Sequence, residues 1–186
     1  MKQTPRNAAH GLAMAAALWL ATGASHAGTA AHVHGLMRLD IAIDKQVLTV
    51  QLASPLDSLL GFERAPRTPA ERQAADAVLK RMGDTATLFK PDAAAQCVPT
   101  NVRIESAALQ SVAAAPGKDT RKDSEHADLD ASYEFTCAQP DQLTTLEVGL
   151  FDAFKRLKKI EVQVAGANTQ SKQTLKRPNK VISLSH

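Results

Sequence analysis

Aromatic residues are scarce: one Trp, one Tyr and five Phe make up 4% of the 186 residues. A nucleic-acid-binding surface interleaves aromatics with a basic stripe, and that combination is missing. A strong net charge is missing too. Lys and Arg total 22 against 19 Asp and Glu. Two of those bases, Lys2 and Arg6, lie in an acid-free N-terminal segment, so the chain beyond it is nearly neutral. Lys155-Arg156-Leu157-Lys158-Lys159 and Lys176-Arg177-Pro178-Asn179-Lys180 are basic runs of a length common on solvated faces and edge strands. Enzyme signatures are absent as well. There is no nucleophile elbow, no H-E-x-x-H pair, no phosphate-cradling glycine loop and no dinucleotide fingerprint. The chain therefore reads as a non-enzyme without a nucleic-acid partner. Beyond the N-terminus no apolar stretch approaches the roughly 20 residues that span a bilayer, so the remainder is expected to be soluble, with no membrane insertion.

The N-terminus itself is distinctive. Lys2 and Arg6 precede the apolar run Leu12 to Ala21, and Thr22-Gly23-Ala24-Ser25-His26-Ala27 follows it. A positive start, an apolar core of about ten residues and small residues at positions −3 and −1 of the cut make a secretory signal. Cleavage is expected after Ala27, which predicts a periplasmic protein of residues 28–186, long enough for a single domain with one core. No Cys follows the apolar run to take a lipid.

Cysteine is nearly absent, and its two copies, Cys97 and Cys137, form an even pair in an exported chain. Oxidation is the expectation in such a compartment, and a loop of that length stabilises the fold by roughly 4 kcal/mol in the chain-entropy model. Hydrophobic periodicity supports an α+β domain that is mostly antiparallel β. Met37, Leu39, Ile41 and Ile43, then Leu48, Val50 and Leu52, alternate with polar residues through Leu36 to Ser54, predicting a hairpin that Pro55 ends. One firm helix begins at Thr68, where Thr68, Pro69 and Glu71 form a capping box. Its apolar stripe is expected at Ala74, Ala77, Val78, Arg81 and Met82, with Gly83 as the stop. Cys97 to Leu109 reads as strand with Val98, Val102 and Ile104 inward, and Leu129 to Cys137 alternates again. Between them, residues 112–127 form a polar loop expected to be mobile. Leu143 to Leu150, then Ile160 to Val164, add strands, with a turn at Phe151 to Phe154. Leu175 and Val181 to Leu184 supply one or two closing strands, giving six or seven in all. Sandwich, open sheet and partial barrel all remain open.

Four histidines follow the signal: His32, His34, His126 and His186. In an extended segment His32 and His34 point to the same side, and neutral imidazole suits zinc. Zinc wants three or four protein ligands, so the pair is either part of a site or an exposed pair ahead of the first strand. Further donors would come from Glu63, whose bland alternative is a surface acid paired with Arg64, or from His126 among Asp123, Glu125 and Asp128. His186, at the C-terminus, is set aside. Asp57 and Asp152 read as turn residues.

Several blocks together resemble the ZrgA-like periplasmic proteins associated with zinc acquisition in proteobacteria. They are His32-Val33-His34-Gly35 running into Leu39 to Ile43; Ser54-Pro55-Leu56-Asp57; and Leu60-Gly61-Phe62-Glu63-Arg64-Ala65-Pro66. Tyr133 to Cys137 and Leu150 to Phe154 complete the set, and the likeness spans residues 32 to 184. The resemblance implies a soluble periplasmic zinc-binding accessory that works alongside a zinc transporter, with His32, His34, Glu63 and His126 as its ligands. Two departures stand out. Family members carry a histidine- and aspartate-rich insert where this chain has Gly117 to Asp128, with only His126. Their Gly-Phe-Glu-His pattern reads Gly-Phe-Glu-Arg here, which places a cation, Arg64, where it is expected to repel metal. The alternative is an envelope interaction or structural protein that kept the fold and lost the metal.

Overall fold

The computed structural model of the chain describes residues 34–110, 127–167 and 169–184. All of them belong to one compact unit, His32–His186. The signal peptide predicted at residues 1–27 lies outside the described residues, as does the 112–127 loop apart from Ala127, which is buried.

The hairpin forms where the period of two is strongest. Strand β1 (Leu36–Asp44) pairs antiparallel with β2 (Val47–Pro55) around Lys45 and Gln46, with Leu39 opposite Leu52 and Ile41 opposite Val50. Helix α1 (Leu56–Leu60) follows directly, and α2 (Pro69–Met82) is the one long helix. The capping box at Thr68 is formed: Glu71 N–H donates to Thr68 Oγ1 and Thr68 N–H donates to Glu71 Oε2, each at 3.2 Å. The buried stripe of α2 is Ala75, Val78 and Met82. That shifts the expected stripe, because Ala74 and Arg81 face solvent. Short helix α3 (Thr85–Leu88) leads into β3 (Phe89–Pro91), and β4 (Cys97–Glu105) ends in the helical turn α4 (Ala107–Gln110) rather than continuing to Leu109. Then come β5 (Asp128–Cys137), β6 (Thr145–Val148), α5 (Leu150–Ala153), β7 (Lys159–Gly166), β8 (Thr169–Lys176) and β9 (Val181–Ser183).

These strands make two sheets, one of six in the order β4-β5-β2-β1-β7-β8 and one of three in the order β3-β6-β9. Every pairing is antiparallel except β1 with β7, where Leu39 lies opposite Val162 and Ile41 opposite Val164. Leu39, Ile41, Val50, Leu52, Tyr133, Phe135, Val162 and Val164 are all buried on the inner face of the larger sheet. That face is covered by α2 and the small sheet. The Tyr133 hydroxyl donates to the Met82 carbonyl at 2.9 Å, and its ring meets Phe89 at 4.7 Å between centroids. The outer face carries Asp40, Gln51 and Gln163 to solvent.

Cys97 and Cys137 stand opposite each other in the β4–β5 ladder and are joined by a disulfide. Val98 and Val102 depart from expectation, being 58% and 37% exposed, and Ile104 is only half-buried. A bulge between Pro99 and Asn101 inserts one residue into β4, so Val98 lies opposite outward Thr136 while Val102 lies opposite inward Tyr133. Parity alone would have put both valines on one face.

Candidate metal centre

The larger sheet and α1 meet at the start of β1, where three turns come together. His34 lies in the turn ahead of β1, followed by Gly35 at φ +78°. Gly35 N–H donates to the Ser58 hydroxyl at 2.9 Å, and that hydroxyl donates to the Leu36 carbonyl at 3.2 Å. Ser58 is fully buried, so these bonds rivet the His34 turn to α1. On its other side the Gly35 carbonyl accepts from Lys158 N–H at 2.8 Å and Lys159 N–H at 3.0 Å. Asp57 stands in the first turn of α1, and the position ahead of the helix is taken by Pro55, which offers no side-chain cap. Gly61, left-handed at φ +87°, closes α1 by donating its N–H to the Asp57 carbonyl at 2.9 Å, and the chain then turns to Glu63.

The result is an imidazole beside two carboxylates. His34 Nδ1 lies 2.7 Å from Asp57 Oδ2 and 3.9 Å from Glu63 Oε1. The His34 side chain is 68% exposed, Asp57 25% and Glu63 31%. Glu63 Oε1 is itself buried and has no hydrogen-bond partner among the described residues. Such an atom costs free energy unless something positive reaches it. With its proton on Nδ1, the imidazole donates to Asp57 and presents Nε2 outward. Replacing that proton by a metal ion would put one nitrogen and two oxygens around it. Bond lengths of roughly 2.0–2.2 Å set neighbouring donors roughly 3.4 Å apart about a tetrahedral zinc, and the two N–O separations bracket that value. As they stand the side chains do not enclose an ion: among the described residues no three of His, Cys, Asp and Glu do. The donor set fits zinc in type and charge, with at least one ligand still to be supplied.

Arg64 behaves differently from expectation. Its guanidinium makes two hydrogen bonds to Glu71, at 2.9 and 2.8 Å, and lies 4.9 Å over the Phe62 ring. Glu71 is held down to about 2 by those bonds first, then by the N–H groups of Arg67 and Thr68. The cation expected to repel metal is therefore neutralised by its own acid. Glu63, read as a possible partner of Arg64, is not that partner.

Of the sequence-derived ligands, the fold brings His34 and Glu63 together, and His32 and His126 lie outside the described residues. The described segment after His126 begins with Ala127, whose carbonyl accepts from Leu56 N–H at 2.9 Å, one residue before Asp57. Asp128 follows, and further along β5 the Asp130 carboxyl is pushed up by burial, then by the charges of Asp128 and Glu105. Two residues of the centre, Asp57 and Ser58, were not singled out by periodicity. The signal for them is the Pro55 that ends β2: a helix starting there without a side-chain cap leaves the next carboxylate and hydroxyl for tertiary partners.

No curated protein matches the chain. The family model for ZrgA family zinc uptake proteins matches residues 31–184, which run from just before the His34 turn to the end of the described β structure. By that match the chain belongs to the ZrgA family of zinc uptake proteins.

Proposed function

We propose that this protein is an exported zinc-binding accessory of zinc uptake, a carrier rather than a catalyst, with His34, Asp57 and Glu63 as the core of its site. One observation carries the reading: two carboxylates, one with an orphaned buried oxygen, converge on a single imidazole nitrogen. Two carboxylates and a neutral imidazole offset the charge of a dication. The resemblance offers two candidates for a fourth donor, His32, two residues ahead of His34 in sequence, and His126, next to Ala127 in sequence. A site with so exposed an imidazole suits cargo that comes and goes better than a structural ion, which is normally closed off by four protein ligands. Zinc is then the cargo, handed on to transporter components in the periplasm, and the disulfide accords with an oxidising compartment.

Calorimetric titration of zinc into the mature chain tests this. Saturable binding near one ion per chain is expected, weakened at least about tenfold in His34→Ala and in Glu63→Gln, the range seen when metal-site groups are removed. Absence of saturable binding, or variants indistinguishable from wild type, would refute it and leave an envelope protein that kept the fold without the metal. Mass spectrometry of exported protein beginning at any residue other than Gly28 would reject the cleavage site.

A further inference from the structure

Strand β4 ends the larger sheet, separated from β1 and the His34 turn by β5 and β2. The opposite end strand, β8, is tied to β9: the Gln173 side-chain amide donates to the Ser183 carbonyl at 2.6 Å and accepts from its N–H at 3.0 Å. Among the described residues β4 pairs with β5 alone, and none of its nine residues is buried. The register shows which of its main-chain groups are left over. Cys137 N–H donates to the Gln46 carbonyl at 2.8 Å, and Leu56 N–H to the Ala127 carbonyl at 2.9 Å. The odd-numbered residues of β5 therefore turn their main-chain groups to β2, while Asp130, Ser132, Glu134 and Thr136 turn theirs to β4. Those four stand opposite Glu105, Arg103, Asn101 and Val98. Val102 and Ile104 thus point N–H and C=O away from β5, out of the edge of the sheet. Pro99, which has no N–H, and the bulge after it confine the usable stretch to residues 101–105.

A hollow flanks that stretch on each face of the sheet. On the inner side a groove of about 390 Å³ lies between β4 and the corner of α2 and α3, with Pro99 and Val102 on one wall and Thr85 and Ala86 on the other. On the outer side a hollow of about 420 Å³ is lined by Gln51, Arg103, Glu105, Asp130, Ser132 and Glu134. Its one guanidinium is spent on Glu105, at 2.6 Å, and among the described residues no cation pairs with Asp130 or Glu134. The Asp130 carboxyl, pushed up by burial and by its acidic neighbours, gains from any cation that arrives. Among the described residues these acids do not gather to hold a metal ion, so the complement is a cationic side chain. We propose that the β4 edge takes up an extended segment of a partner protein, added as a strand whose side chains alternate between apolar and basic. The segment's main chain pairs with Val102 and Ile104. Apolar side chains opposite those two residues enter the inner groove. Basic side chains at the positions between reach Glu134 past Asn101 and Asp130 past Glu105, one strand spacing of about 4.8 Å further in. Main-chain bonds supply affinity, and the two hollows select the side chains. The proposal does not depend on the metal site.

The probe is a short capped peptide of alternating valine and lysine, titrated into the isotope-labelled mature chain and followed by amide NMR shifts. Saturable binding is expected, with the largest shifts at Val102 and Ile104. Methylating the peptide's valine amides removes the donors that pair with the edge and should weaken binding at least about tenfold. Asp130→Asn combined with Glu134→Gln, its folding checked by its urea midpoint, should weaken binding about three- to tenfold at low ionic strength. That difference should shrink to about twofold or less in about 0.5 M salt. Absence of saturable binding would overturn the proposal. So would equal binding of the amide-methylated peptide, or of a peptide that alternates valine with glutamate. Sedimentation of the wild type alone as a dimer that Ile104→Lys dissolves would give the edge to a second copy of the chain and overturn it as well.

Discussion

Replacing Ser58 with alanine removes a single oxygen, yet two main-chain groups depend on it. Gly35 N–H donates to Oγ at 2.9 Å, and Oγ donates to the Leu36 carbonyl at 3.2 Å. Both contacts are buried, and Ser58 has no exposed surface. In Ser58→Ala the Gly35 N–H loses its acceptor, which costs about 1–3 kcal/mol, and loss of the longer second bond adds about 0.5–1 kcal/mol. A loss of about 2–3 kcal/mol follows. Ser54 supplies the control. It is as buried, at 1% exposure, but among the described residues its hydroxyl reaches only the neighbouring Pro55 carbonyl at 3.2 Å, and no N–H relies on it. Ser54→Ala should therefore cost about 1 kcal/mol or less. Urea denaturation with the disulfide intact measures both, read as midpoint shifts at constant slope. Zinc titration gives a second reading: the Ser58 variant frees the His34 turn and should bind more weakly, whereas the Ser54 variant should not. Equal destabilisation by the two alanines would refute the idea that Ser58 rivets the site. So would a Ser58→Ala protein that binds zinc as tightly as wild type.

Tyr133→Phe should lose about 1–2 kcal/mol in urea, because its buried hydroxyl satisfies the Met82 carbonyl at the end of α2. Burial pushes that phenol up, so above about pH 10 the unfolded chain ionises first and stability falls with pH, a loss the phenylalanine variant should lack. Glu71 sits on the other side of the scale. Held down to about 2 in the fold, it contributes stability that is fully present above its unfolded value of 4.5 and is lost as pH falls toward 2. Glu71→Gln should flatten that part of an acid denaturation curve, and an unchanged curve would reject the Arg64–Glu71 assignment. Two glycines should respond with opposite sign. A Cβ at Gly149 would overlap the Thr87 carbonyl oxygen, so alanine there should cost about 3 kcal/mol. Gly83 caps α2 in a right-handed conformation with its nearest contact at 3.5 Å, so alanine there should stabilise by about 0.4–1 kcal/mol.

Local rules read the hairpin and the helix start well, because alternation decides which face of β1 and β2 is buried and because a capping box closes on itself over four residues. They fail where the outcome depends on a residue far away or on one extra residue. Val98 was expected inward from parity, and the bulge after Pro99 turned it out. The parallel pairing of β1 with β7 joins segments more than a hundred residues apart and leaves no mark on either strand's pattern. β3 is three residues long, too short for any period to register. The helix stripe differs at Ala74, since an Ala-rich sequence gives Ala74 and Ala75 equal claim to the core, and at Arg81, which is exposed.

The proposed site is legible in its candidate donor types and illegible in its charges. His34 and Glu63 could be named from residue chemistry and resemblance, but Asp57 read as a turn residue because nothing local shows that its carboxylate faces an imidazole rather than water. Arg64, one residue from Glu63, looked like the cation that would spoil the site, and adjacency in sequence gave no reason to doubt it. What decides is which acid each cation finds in space. Arg64 turns back to Glu71 at the start of α2, because the capping box has already fixed that carboxylate where a guanidinium can reach it with two bonds. Arg156, more than ninety residues away from Glu63 in sequence, is instead the cation folded against Gly61, which lacks the side chain that would exclude it. A cation adjacent in sequence and a cation adjacent in space are therefore different residues here, and only the fold tells them apart.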